Sequence, residues 1–215
     1  MLFHDRYDAG RQLAERLRVY EGKKDAVVLG LPRGGVPVAF EVARLLKLPL
    51  DIFVVRKLGM PGQQELAIGA IASGNVRVLN DELVSSAGID EAALDQIAQQ
   101  EQVELNRRER LYRGDRAPYA VTGNLVIVVD DGLATGASMK AALRALRQRN
   151  PARIVVAVPT GAEATCDELT QYADEVVCLS TPEPFRAVGL WYKDFAQTAD
   201  EEVCQLLAKS IAAPA

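Results

Sequence analysis

The sequence predicts an α/β fold built on a parallel sheet, and three observations carry that expectation. Short aliphatic runs recur at 26–31, 50–55, 126–129, 153–158 and 175–179, with helically spaced stretches between them. Strands alternating with helices are the signature of βαβ units. The runs are continuous rather than alternating, as expected of strands buried on both faces. Two of the runs pass into small-residue loops that open helices, at 32–37 and 134–138. In an open α/β sheet such loops lie at the carboxyl ends of the strands, where ligands bind.

Composition bounds the function. With 215 residues the chain is about one domain, and 49% hydrophobic, 25% charged and net charge −4 is an ordinary water-soluble balance. Mild acidity argues against a general nucleic-acid binder, which needs a basic surface. Cys166, Cys178 and Cys204 are odd in number and far apart. They suggest neither a disulfide framework nor a zinc site, so a reducing cytoplasm is the expected setting. The amino terminus lacks the apolar core of a signal peptide. No apolar run approaches the roughly twenty residues of a membrane span, so no membrane partner is expected.

In chain order, 3–20 reads as an amphipathic helix with Tyr7, Leu13 and Leu17 on one face. His4 reads as a cap or surface group, and Arg6 and Asp8 as members of local pairs. The strand 26–31 runs into Pro32-Arg33-Gly34-Gly35-Val36-Pro37 and then a helix from Val38 to Leu46. This loop is neither a Walker loop nor a dinucleotide fingerprint, because the required lysine and glycine spacing is absent. Gly34 and Gly35 permit close backbone approach, and Arg33 offers a guanidinium fork to phosphate oxygens. A tight strand–helix turn accounts for the loop equally well on its own.

The strand 50–55 ends at Arg56-Lys57, and cations at a strand's carboxyl end suit a polyanion. Residues 58–80 are punctuated by glycine and contain a hairpin, 67–72 against 76–79. Glu65 in this stretch serves either as an acid or as a solvated side chain. Residues 90–113 form a helix with Leu94, Ile97, Ala98 and Leu105 as a narrow apolar stripe. Glu104 with Arg108 and Glu109 with Arg113 are i,i+4 pairs. Five arginines between 107 and 116 read as a solvated face or as a contact between two copies in a homodimer. After the strand 175–179, Pro182, Pro184, Phe185, Trp191, Tyr192 and Phe195 cluster ahead of a helix from 200 to 211. Trp191 and Phe195 read as packing. Phe185 is equally suited to packing or to stacking on a flat ligand.

The most informative stretch is Val126 to Ser138, VIVVDDGLATGAS. A buried strand ends in Asp130 and Asp131, and Ala134 to Ser138 then open a helix. Free backbone amides and the helix dipole make that loop a phosphate cradle. Carboxylates repel phosphate but accept hydrogen bonds from hydroxyls. A ligand that satisfies both is a ribose 5-phosphate.

This stretch resembles the phosphoribosyl pyrophosphate (PRPP) motif of type I phosphoribosyltransferases: a hydrophobic run, two acidic residues, then T-G-x-S/T. The resemblance spans roughly residues 24–180 and is specific only at this motif. It implies a single domain over 1–215, with the parallel-sheet core of that family, a small hood from 1–23 and 181–215, and a helical insertion at 90–113. By position, Asp130 and Asp131 would take the ribose 2′ and 3′ hydroxyls and meet magnesium through ligand or water. Ala134, Thr135, Gly136, Ala137 and Ser138 would hold the 5′-phosphate. Arg33, Gly34 and Gly35 would form the pyrophosphate loop, with Lys57 and then Arg56 as the basic residues that reach it. Lys57, Glu65 and Asp131 are the catalytic candidates, Phe185 the base-stacking one, and 58–80 the loop that closes over PRPP.

The implied reaction is displacement of pyrophosphate from C1 of PRPP by a nitrogen acceptor, usually a nucleobase, as in nucleotide salvage. One departure bears on the acceptor. Hypoxanthine and guanine enzymes of the family carry aspartate where this chain has Ala134, which counts against a 6-oxopurine. The rival reading is a regulator that senses PRPP or a nucleotide on the same fold without catalysis. The intact Arg33-Gly34-Gly35 and Arg56-Lys57 segments favour an enzyme.

Overall fold

The structure is a computed structural model that describes residues 2–60, 63–74 and 76–212. The side chains of Gln64, Glu65, Asp81, Ile211 and Ala212 lie outside that description. The order is α1 (Arg6–Arg16), β1 (Ala26–Gly30), α2 (Gly35–Leu46), β2 (Leu50–Ile52), β3 (Val55–Met60), β4 (Gln63–Ala72), β5 (Val76–Leu79) and α3 (Asp81–Ser86). It continues with α4 (Glu91–Arg113), β6 (Leu125–Val129), α5 (Ala137–Arg147), β7 (Arg153–Thr160), α6 (Glu163–Leu169), β8 (Glu175–Ser180) and α7 (Asp200–Ala212).

Five strands form a parallel sheet in the order β2-β1-β6-β7-β8. Both β1 and β6 are buried along their whole length, which explains their continuous aliphatic sequences. Their side chains alternate between two cores. Val28, Ile127 and Val129 pack with Leu13, Val42 and Leu207 on the face covered by α1, α2 and α7. Val27, Val126 and Val128 pack with Met139, Leu143 and Leu169 on the face covered by α5 and α6.

From β1 the chain winds outward to β2, and from β6 it winds the other way to β7 and β8. The topological switch point therefore lies between β1 and β6, where open α/β sheets form their ligand crevice. Among the described residues, no helix is long and apolar enough to cross a membrane.

The strand expected at 50–55 ends instead at Ile52, and Arg56 and Lys57 belong to β3 of a second, three-stranded antiparallel sheet, β3-β4-β5. The reason is a change of partner. Phe53 still donates its amide to Gly30, but Val54 exchanges bonds with Ser73, its amide reaching the Ser73 hydroxyl and its carbonyl accepting from the Ser73 amide. A β-rich sequence does not reveal which sheet it joins. The hairpin expected at 67–72 and 76–79 is present as β4 and β5.

Helix α4 shows both i,i+4 pairs, Glu104 with Arg108 and Glu109 with Arg113. Its buried end is fastened to β2: Arg113 Nε meets Asp51 Oδ1 at 2.8 Å and Nη2 donates to the Ile52 carbonyl at 2.7 Å.

Helix α1 is shorter than the 3–20 pattern. Asp5 caps it by accepting the Asp8 amide at 2.7 Å. Its face crosses α2 closely at Gly10, where an added Cβ would lie 2.6 Å from the Val38 carbonyl oxygen and 2.8 Å from Glu41 Cβ. Neither atom can move cheaply. Gly10→Ala is expected to destabilise the protein by about 1–3 kcal/mol through overpacking, read as a lowered urea midpoint with unchanged slope.

Candidate active site

Two loops meet at the switch point. After β1, residues 31–35 turn back on themselves, with the Gly35 amide donating to the Leu31 carbonyl at 3.1 Å and the Leu31 amide to Val129 at 2.9 Å. After β6 come Asp130 and Asp131. The two loops pack so closely that only glycine fits between them. A Cβ on Gly34 would lie 2.0 Å from Asp131 Oδ2, and one on Gly35 would lie 2.7 Å from the Val129 carbonyl and 2.9 Å from Asp130 Cα. The glycines therefore do more than loosen the turn: they bring the Arg33 loop into contact with the acidic pair.

The acidic pair is largely withdrawn from water. Asp130 accepts the Asp131 amide through Oδ1 at 2.9 Å. Burial, and next the charge of Asp131, push the Asp130 carboxyl well above the usual carboxylate range. Burial also raises Asp131, against the opposing pull of Arg6.

Arg6 is the residue that sequence reasoning misses. The sequence suggests a local pair, but its Nε donates to Asp131 Oδ2 at 2.9 Å, with the two side chains 11% and 16% exposed. Its Nη1 donates to the Ala196 carbonyl at 2.7 Å, and the guanidinium lies 3.9 Å above the centre of the Phe195 ring. Phe195, expected only to pack, thus also supports Arg6. The Tyr192 hydroxyl donates to the Asp131 carbonyl, so residues from before β1 and after β8 grip one aspartate. His4 is a surface group beside Asp5, its side chain 71% exposed.

The 134–138 loop has the expected form. Gly136 takes the left-handed conformation, φ 66°, at the head of α5. Among the described residues, the amides of Thr135, Gly136 and Ser138 meet no protein acceptor. The loop rests on α6: the Thr165 hydroxyl donates to the Ala134 carbonyl at 2.7 Å, and a Cβ on Gly136 would fall 2.6 Å from Thr165 Cγ2. Nothing in the sequence singles out Thr165 for this support.

The side chains of the remaining candidates have other neighbours. Arg33 lies 3.9 Å from Asp200 at the start of α7, and Asp200 also accepts the Tyr112 hydroxyl. Arg56 is held by Glu101 of α4, with Nε at 2.7 Å. Lys57 is exposed and lines a cleft with Ala137 and Lys140 of α5. The side chain of Glu65 falls outside the described residues. Phe185 stacks on Trp191, centroids 6.3 Å apart, and borders an open cavity of about 620 Å³ shared with Ala162, Glu163 and Glu183.

The sequence pattern of the phosphoribosyl transferase domain matches residues 3–193. The chain belongs to this family. A Mycobacterium tuberculosis (strain CDC 1551 / Oshkosh) protein, provisionally named a phosphoribosyl transferase, is 52% identical over 209 residues, 97% of this chain and 47% of its own length. Its counterpart in strain H37Rv matches equally. The chain thus spans about half the length of the curated relatives it matches. Among solved structures, the protein TT1426 from Thermus thermophilus superposes with a TM-score of 0.87 at 45% identity, covering 97% of this chain and 99% of that one. The family membership and the parallel-sheet fold agree with the resemblance drawn from VIVVDDGLATGAS.

Proposed function

We propose that this domain transfers the phosphoribosyl group of PRPP to a nitrogen acceptor, a nucleobase by chemical class, and releases pyrophosphate. The observation that carries the proposal is the meeting of a phosphate cradle, a buried acid pair and a glycine-lined arginine loop at one switch point. The amides of 135–138 hold the 5′-phosphate. Asp130 and Asp131 accept the ribose hydroxyls, which fixes C1 between the cradle and the Arg33 loop. Arg33 and the backbone at Gly34 and Gly35 receive the pyrophosphate, whose growing negative charge a guanidinium stabilises. Phe185 offers a flat surface to the incoming base. Binding and orientation of this kind are the protein's main contribution.

Magnesium fits the site as a passenger of PRPP. Among the described residues, no three His, Cys, Asp or Glu side chains gather to hold a metal alone. Asp130 and Asp131 would instead meet it through ligand oxygens or water, and when bound it neutralises pyrophosphate charge.

The test pairs binding with chemistry. Wild-type protein is expected to bind magnesium-PRPP in calorimetry and to release pyrophosphate with at least one base in a panel. Asp131→Asn exchanges a charged acceptor for a neutral one. It should weaken PRPP binding by about 10–100-fold, the worth of one charge-assisted hydrogen bond. No binding of PRPP by the wild type would overturn the reading; binding without turnover on any acceptor would point to the sensor instead.

A further inference from the structure

A second concave surface lies beside the phosphate loop, between the β3-β4-β5 sheet and α5. It is a cleft of about 240 Å³. Small residues dominate its lining, Ala67, Gly69 and Ala70 from the sheet and Ala137 and Ala141 from α5, with Val78 and Asn80 beside them. Three cations stand round it: Lys57 from β3, and Lys140 and Arg144 one turn apart on α5. One carboxylate faces them, Glu168, which meets Lys140 Nζ at 2.6 Å. Arg144 lies over the Tyr172 ring at 5.3 Å, with Nη2 3.3 Å from its hydroxyl. Lys57 has no carboxylate within ion-pair distance among the described residues.

The balance of charge therefore favours a dianion, and the small-residue lining favours a ligand with a small uncharged body. Surface cations at this spacing usually repel one another into water. Here a concave floor holds them round one space, where their fields add. Two ammonium groups and one guanidinium fork suit the oxygens of a phosphate group. We propose that this cleft is a second phosphomonoester site, distinct from the 134–138 loop and served by Lys57, Lys140 and Arg144. Its occupant would bridge the small sheet and α5, whose first residue, Ala137, is also part of the phosphate loop. The inference stands on the cleft alone and does not depend on the transferase reading.

The experiment is a titration of isotope-labelled protein with ribose 5-phosphate, and in parallel with inorganic phosphate, followed by amide chemical shifts. Two saturable events are expected with different dissociation constants, one reported by 134–138 and the other by Gly69, Ala70, Ala141 and Tyr172. Arg144→Glu should weaken only the second event, by about tenfold or more, as for loss of a charge-assisted hydrogen bond. Its unchanged shifts elsewhere would show that the fold is intact. Two results would overturn the proposal. One is movement of the 134–138 amides alone with both probes. The other is a second set that follows the first with the same constant and survives Arg144→Glu, since that set would only be relaying the first event.

Discussion

Gly136→Val is expected to abolish measurable PRPP binding while leaving a folded protein. The position combines two demands. Its φ of 66° lies where a β-branched residue is a severe outlier. Any Cβ there would also fall 2.6 Å from Thr165 Cγ2. The strain, about 1–3 kcal/mol, is small against typical domain stability but falls entirely on the loop that presents the amides of Thr135 and Ser138. The loop should relieve it by swinging off α6 and breaking the Thr165 bond to Ala134. Calorimetry with PRPP and a thermal melt separate the two effects. Gly136→Ala should be milder, and Thr165→Ser in the same chain should partly restore its affinity by removing the obstructing methyl while keeping the hydroxyl that bonds Ala134. Wild-type affinity in Gly136→Val would exclude the 5′-phosphate from this loop.

The second large effect is expected from Arg6→Leu. The variant leaves Asp131 nearly buried and without its cation. Breaking a buried pair from one side costs about 3–5 kcal/mol. Asp131 is slightly open to water, so the low end applies. The pH dependence has a definite sign. Burial holds the Asp131 carboxyl above its unfolded-state value. A carboxylate raised in this way favours the folded state below its unfolded pKa, and that advantage is lost as pH rises through the folded one. Without Arg6 the folded value climbs further, so more is lost. The stability gap between wild type and Arg6→Leu should therefore widen as pH rises from about 4 toward neutrality and close again in acid, where Asp131 is protonated in both. Urea midpoints at several pH values measure this. A gap independent of pH would mean that Arg6 matters for packing on Phe195 and not for the charge of Asp131. Arg6→Lys keeps the charge but loses the fork to Ala196, and should fall between the two.

What the sequence reveals depends on how far apart the cooperating residues lie. The acid pair, the cradle and the α5 helix are contiguous, so one stretch displays their chemistry. The Arg33 loop is ambiguous alone, because a strand–helix turn and a pyrophosphate loop use the same glycines. The close approach of Gly34 to Asp131 sets the loop beside the acid pair, a neighbourhood that the sequence does not show. Arg6 is hidden by sequence separation, yet a signal exists. Arg6, Gly10 and Leu13 share one stripe of α1, which Leu17 continues past its end, and an arginine on a buried face must find a buried anion. The setting of Lys57 is hidden for a different reason. Nothing in Phe53-Val54 marks the point where the chain leaves one sheet for another, so the sequence places the cation at the main crevice. Thr165 and Tyr192 act through a hydroxyl on a distant carbonyl, which leaves no local pattern.

The grip of Arg6 and Tyr192 on Asp131 also sets an order of events during synthesis. Arg6 precedes Asp131 by 125 positions, and Tyr192 follows it by 61. At typical ribosomal speeds the arginine waits on the order of ten seconds for its aspartate, and the tyrosine arrives several seconds later. A nascent chain that has completed β1, β6 and β7 can bury their valines but still lacks the tyrosine that anchors Asp131. Full ligand affinity should therefore not appear before Tyr192 has left the ribosome.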